Sequence, residues 1–156
     1  MSTPEDLIEL VAEVARNKGI ASDRAEEDAI SLALEGHFGR YDTYVIWVPE
    51  DDTLRLVSAF ACPLGAARPA KIYELVNEIN QQIWLGAFCF NKAGEHMLWR
   101  IGEAGEEMTS LKMENWLDTA RIACDTYYPA AQLISYTDYS VQDALESILG
   151  NTYGRA

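Results

Sequence analysis

The sequence predicts an α+β domain in which a five-stranded antiparallel sheet carries helices packed on one face. Three observations support this. Apolar positions step by three and four in some segments and alternate in others, giving the order α-β-β-β-α-β-β-α with a short extra helix at the end. The first three strands are joined by short turns and read as an antiparallel meander, and runs of strands separated by single helices favour one sheet covered on one side. A doubly wound nucleotide fold is disfavoured, because the chain has neither G-x-G-x-x-G after its first strand nor a G-x-x-x-x-G-K-[ST] loop.

Each element has its own warrant. Thr3 can cap a first helix, with Pro4 at the first helical position and Glu5 and Asp6 in the first turn, where acids complement the helix dipole. Leu7, Leu10, Val11 and Val14 share one face, and Gly19 supplies the stop. Ile30, Leu32 and Leu34 alternate with smaller residues, the period of a strand with one buried face. "GHFG" (36–39) turns the chain into the β-branched and aromatic run "YDTYVIWV", and "PEDDT" (49–53) returns it into "LRLVSAF". In the middle strand either Tyr44, Ile46 and Val48 or Val45 and Trp47 face the helices. Both sets are apolar, so a second cover, such as a partner subunit, is expected on the other side.

After "PLGAARPA", Ile72, Leu75, Val76, Ile79 and Ile83 fall at helical spacing and predict a helix of about four turns. "LGAFCFN" and "EHMLWRI" flank "KAG" as a hairpin. Met113, Leu117, Ala120, Cys124 and Tyr127, with Trp116 alongside, mark a long helix that meets Pro129, where a proline should end or kink it. Ser140 and Asp143 have near-capping-box spacing ahead of Ala144, Leu145 and Ile148, and Gly150 is expected to close a short last helix. No linker, repeat or low-complexity run divides residues 1–156, which read as a single domain.

Composition narrows the functional classes. There are 25 Asp and Glu against 12 Lys and Arg, a formal charge of −13, and a field of that sign repels phosphate backbones and anionic lipid. Neither a nucleic acid nor a membrane is an expected partner. The opening "MSTPEDLIELV" lacks the basic start and apolar block of a secretory signal, so a cytoplasmic location is expected. Cys62, Cys89 and Cys124 are odd in number, widely separated and never in a C-x-x-C pair; each has apolar neighbours and is expected to be buried and inert.

The chemistry-bearing residues are sparse. His37 and His96 belong to no ligand pattern, with His37 placed in a turn and His96 outward on a strand whose Met97 and Trp99 face inward. Glu50, Asp51 and Asp52 lack the glycine and glutamate of a calcium loop and read as solvated. The expectation is therefore no catalytic residue, no metal and no cofactor. The alternative is a small-ligand sensor or a cryptic Cys/His hydrolase, pairing Cys89 or Cys124 with His96 around a pocket between sheet and helices.

Four stretches carry a resemblance. "PAKIYELVNEINQQIWLGAFCF", "HMLWRI", "WLDTARIACDTYYPAAQLI" and "SVQDALESILGNTYG" closely resemble the YbjN family, called bacterial sensory transduction regulators, over most of the chain from about Leu7 to Gly154. The resemblance implies a fold like that of the type III secretion chaperones, which are small, acidic, usually dimeric proteins that bind segments of other proteins. It associates no catalytic residue with the family. It also implies a non-enzymatic, chaperone-like protein-binding module, acting as a homodimer in bacterial signalling or regulation.

One segment stands out within that frame. From Asn77 to Phe90, "NEINQQIWLGAFCF" sets four amides ahead of a run that is apolar on both alternating faces. The amides Asn77, Asn80 and Gln81 lie on or beside the flank opposite the core, with Gln82 at the edge. They can satisfy the end of the helix and its connection to the strand. They can also belong to a surface with Trp84 as aromatic anchor, and Asn77, Asn80, Gln81, Trp84 and Phe88 are the candidate interface residues.

Overall fold

Thr3 starts the first helix as its sequence suggests. Its hydroxyl accepts from the Asp6 N–H at 3.1 Å while the Asp6 carboxylate accepts from the Thr3 N–H at 3.2 Å, a reciprocal cap. The computed structural model describes residues 3–65 and 68–153. In it the chain runs through α1 (Pro4–Asn17), β1 (Ser22–Glu26), β2 (Ala29–Gly36), β3 (Gly39–Val48) and β4 (Thr53–Ala61). It continues through α2 (Pro69–Asn80), β5 (Ala87–Asn91), β6 (His96–Ala104), a 3-10 turn (Gly105–Glu107), α3 (Ser110–Tyr136) and α4 (Val141–Tyr153).

All strand pairs are antiparallel, in the spatial order β1-β2-β3-β4-β6-β5. The sheet has six strands, not the five expected. The additional one is β1, "SDRAE", whose Ser22, Asp23, Arg24 and Glu26 are exposed and whose register against β2 is irregular between Asp23 and Glu26. A charged edge strand buries no alternating face, so it leaves no period-2 signal.

One side of the sheet is covered. Val45 and Trp47 of β3, Leu54, Leu56 and Phe60 of β4 and Met97 and Trp99 of β6 are buried on the side where α1 and α3 pack, and α2 packs on β5 of the same sheet. The alternates Tyr44 and Ile46 point the other way and are exposed. The core-facing set in β3 is therefore Val45 and Trp47.

Three helix boundaries can be compared with expectation. α3 runs for 27 residues, so of the two expected outcomes Pro129 does not end it, even though a proline interior to a helix removes one backbone bond and costs about 3 kcal/mol or more. Ala130, Ala131, Ile134 and Ser135 beyond it are buried, and that burial offsets the lost bond. α4 likewise passes Gly150 and runs to Tyr153, since an interior glycine costs only about 1 kcal/mol against alanine. α2 ends at Asn80, so Ile83 packs from the following loop. Gly19 has a φ of 72° just after α1, and Ser140 Oγ accepts from the Asp143 N–H at 3.0 Å at the start of α4, both as their sequence contexts indicate.

Candidate functional site

The connection from α2 to β5 is fixed at both ends. At the helix end, the Asn80 carboxamide forms a two-bond fork with one residue: Nδ2 donates to the Phe88 C=O at 2.9 Å, and Oδ1 accepts from the Phe88 N–H at 2.8 Å. At the strand end, the Trp99 indole N–H donates to the Leu85 C=O at 3.3 Å. Gly86 follows with a φ of 66°, and a Cβ there would stand 2.5 Å from the Trp99 ring. No residue with a side chain fits that turn without displacing a core tryptophan.

These anchors display the loop between them. Trp84 is 94% exposed and Leu85 62% exposed, although both are large apolar residues. Asn77 and Gln81 are exposed, Asn80 is half-buried in its fork, and Phe88 is buried with its ring edge-on to Tyr127 at 5.7 Å. The candidate residues thus divide. Asn80 and Phe88 build the connection, whereas Asn77, Gln81 and Trp84 stand on the surface.

Next to this loop lies the open face of the sheet. Tyr44 and Ile46 are exposed there, across from Val57 and Arg55 of β4, and Val57 in turn lies opposite Arg100 of β6. Cys89 projects from β5 opposite Leu98 and is half-buried rather than buried as expected. A hollow of about 790 Å³ on this side is lined by Ile46, Val57, Gly86, Ala87, Arg55 and Arg100. Sequence reasoning did not single out these two arginines, because each alternates on its strand as an ordinary outward cation.

The groups that an enzyme would use are arranged differently. Burial pushes the Cys124 thiol up to about 12, and burial likewise raises Cys62, whose Sγ lies 3.4 Å from Ser135 Oγ. A buried neutral thiol is a poor nucleophile. Among the described residues neither His37 nor His96 hydrogen-bonds to a cysteine, and no cluster of three His, Cys, Asp or Glu has the geometry of a metal site. Tyr41 is raised by burial and by donating its hydroxyl hydrogen to Asp125, whose carboxylate also accepts the His37 N–H at 2.8 Å. That pair ties the β2–β3 turn to α3. Asp51 is held below the usual carboxylate range by the Thr53 hydroxyl first and Arg55 next, so it closes a surface turn. No described helix is long and apolar enough to cross a membrane.

Comparison with known proteins adds the following. The family model YbjN, "Putative bacterial sensory transduction regulator", matches residues 7–133. No curated protein matches the sequence. Among solved structures, the ExsC–ExsE complex superposes with a TM-score of 0.65 at 16% identity, covering 87% of this chain and 98% of the other. The type III secretion chaperone SycH of Yersinia pestis, in complex with a fragment of YscM2, gives 0.52 at 12% identity, covering 85% and 100%. YbjN of E. coli gives 0.51 at 11% identity, covering 85% and 89%. At these identities the likeness is one of fold: α+β, with an antiparallel sheet and helices, as in type III secretion chaperones.

Proposed function

The chain belongs to the YbjN family, and we propose that it is a non-enzymatic protein-binding module that acts as a homodimer in the bacterial cytoplasm, in signalling or regulation. The observation that carries this reading is the Trp84–Leu85 display. A loop anchored by the Asn80 fork and by the Trp99 indole holds a tryptophan almost wholly in water. Exposing that much apolar surface on a fixed loop costs solvation free energy, and aromatic side chains of this kind are enriched where proteins bury one another.

Two further features support it. The uncovered sheet face beside the loop carries Tyr44 and Ile46, an apolar strip that a two-fold related copy could cover with the same strip of its own. The fold is also one found in complexes, since ExsC is seen with ExsE and SycH with a YscM2 fragment. The Cys62 and Cys124 thiols are buried and, among the described residues, no histidine hydrogen-bonds to a cysteine, which favours binding over hydrolysis. The test is sedimentation equilibrium of the purified protein. A dimer at tens of micromolar, roughly the range in which a stable interface holds, is expected. A monomer throughout that range would refute the homodimer.

A further inference from the structure

Strand β5 stops short of its neighbour. It pairs with β6 only from Ala87, opposite Arg100, to Asn91, opposite His96. On its other side β6 continues against β4 as far as Ala104, opposite Thr53. Beyond Arg100, then, the β5 side of β6 has no strand beside it.

Alternation settles which backbone groups face that gap. The Gly105 N–H donates to the Asp52 C=O at 3.0 Å, and the Cys62 N–H donates to the Glu95 C=O at 2.8 Å. Bonds from β6 toward β4 therefore fall on every second residue in line with Glu95 and Gly105, which includes Ile101 and Glu103. Gly102 and Ala104 direct their N–H and C=O groups the other way. Among the described residues no hydrogen bond outside the β-ladder takes up any of these groups. An unpaired strand edge of this kind is a template for another strand.

The gap also has two distinct walls. On the helix side lies a hollow of about 410 Å³, lined by Leu85, Ile101, Trp116 and Thr119 with Lys112 at its rim. On the open side lies the larger hollow, with Ile46 and Val57 flanked by Arg55 and Arg100. Lys112 is paired with Glu103 at 2.8 Å, and Arg55 with Asp51, while no described carboxylate forms an ion pair with Arg100. In a chain of net charge −13, the Arg100 guanidinium, which no described carboxylate pairs, is a local reversal of sign at this hollow. The long-range field opposes an acidic partner, but at physiological salt it is screened beyond about 8 Å, so a carboxylate at this spot responds mainly to Arg100.

We propose that the gap beside Gly102 and Ala104 is a docking site for an extended segment of another protein. That segment adds as a strand to β6 in line with β5, with an apolar side chain toward Leu85, Ile101 and Trp116 and an acidic one toward Arg100. Because successive side chains of a strand point to opposite faces, the sequence that fits is an alternation of apolar and acidic residues. The proposal rests on the protein-binding reading given above but not on the dimer.

The experiment is a fluorescence-anisotropy titration with a short labelled peptide of alternating leucine and glutamate. Saturable binding is expected, weakened about tenfold or more when the central amides of the peptide are N-methylated, since methylation removes strand donors while keeping the side chains. Gly102→Pro should weaken it similarly, because it deletes a donor that faces the gap and leaves the β4 ladder intact; circular dichroism checks its fold. Arg100→Glu should shift preference from the glutamate peptide to one with lysine in its place. Absence of binding, or binding indifferent to N-methylation on the unaltered protein, would overturn the proposal. So would binding by a monomeric Trp84→Asp form alone, which would show that a second copy already fills the gap. A wild-type protein that sediments as a monomer yet binds the peptide would refute the dimer and leave this site standing.

Discussion

The two faces of the sheet use the same kinds of residue for opposite ends. On the helix side of β3, Val45 and Trp47 are buried; on the open side, Tyr44 is 47% and Ile46 37% exposed. The helix side is filled, with Trp99, Met97, Leu56 and Leu54 at or near zero exposure. The open side is concave, partly apolar and edged by Arg55 and Arg100. What separates the two faces is not composition but which of them α1, α2 and α3 cover. Residues on the covered side set stability, and residues on the open side are free to set association.

That contrast can be broken or sharpened by substitution. The largest effect is expected at Trp99. Replacing it with alanine opens a core cavity and frees the Leu85 carbonyl, and should cost about 3–5 kcal/mol in urea unfolding. Asn80→Ala comes next: it leaves both polar groups of the half-buried Phe88 backbone without their fork and should cost about 1–3 kcal/mol, also read from urea melts. A loss within experimental error would show that the loop is not held by the fork.

The cysteines offer the same comparison in one residue type. Cys89 projects from the open face and is half-buried, while Cys62, just past β4, and Cys124, on α3, are buried. A neutral thiol reagent should modify Cys89 in the native protein and the other two only on unfolding, as mass spectrometry of the labelled peptides would show. The pH dependence has a definite sign. The Cys124 thiol has its ordinary value near 9.0 when unfolded and about 12 when folded. Its contribution to stability is therefore complete below pH 9 and is lost as pH rises from there toward 12. Cys124→Ala should flatten that part of the urea-midpoint profile. The smallest change in stability is expected at Tyr44→Lys, about 0.5 kcal/mol or less, because the side chain packs on no helix.

Much of the fold was legible because burial on one face writes a period into the sequence. Leu7, Val11 and Val14, or Met113, Leu117, Ala120 and Cys124, could be read as helix faces for that reason. β1 had no such period: its exposed charged residues bury nothing, and only pairing with β2 makes it a strand. Pro129 left an end and a kink both open, and tertiary burial of the residues after it is what carries the helix on. In the segment from Asn77 to Phe90 the amides and the exposed tryptophan were visible, but their division was not. Which amide reaches Phe88 depends on where α2 ends, and the sequence pattern carried the helix on to Ile83. The gap beside Gly102 was invisible because it arises from unequal strand lengths across a pairing that only the folded chain defines.

The central claim is that the Trp84 loop belongs to association rather than to the core. It is tested most directly by Trp84→Asp, with light scattering and urea unfolding on the same samples at matched concentration. The account predicts a folded monomer whose intrinsic stability, measured well below the dissociation constant, stays within about 1 kcal/mol of wild type, since an indole 94% exposed in the monomer contributes little to its core. An unchanged dimer, or a variant that unfolds with a loss of several kcal/mol, about that of a core tryptophan, would contradict it.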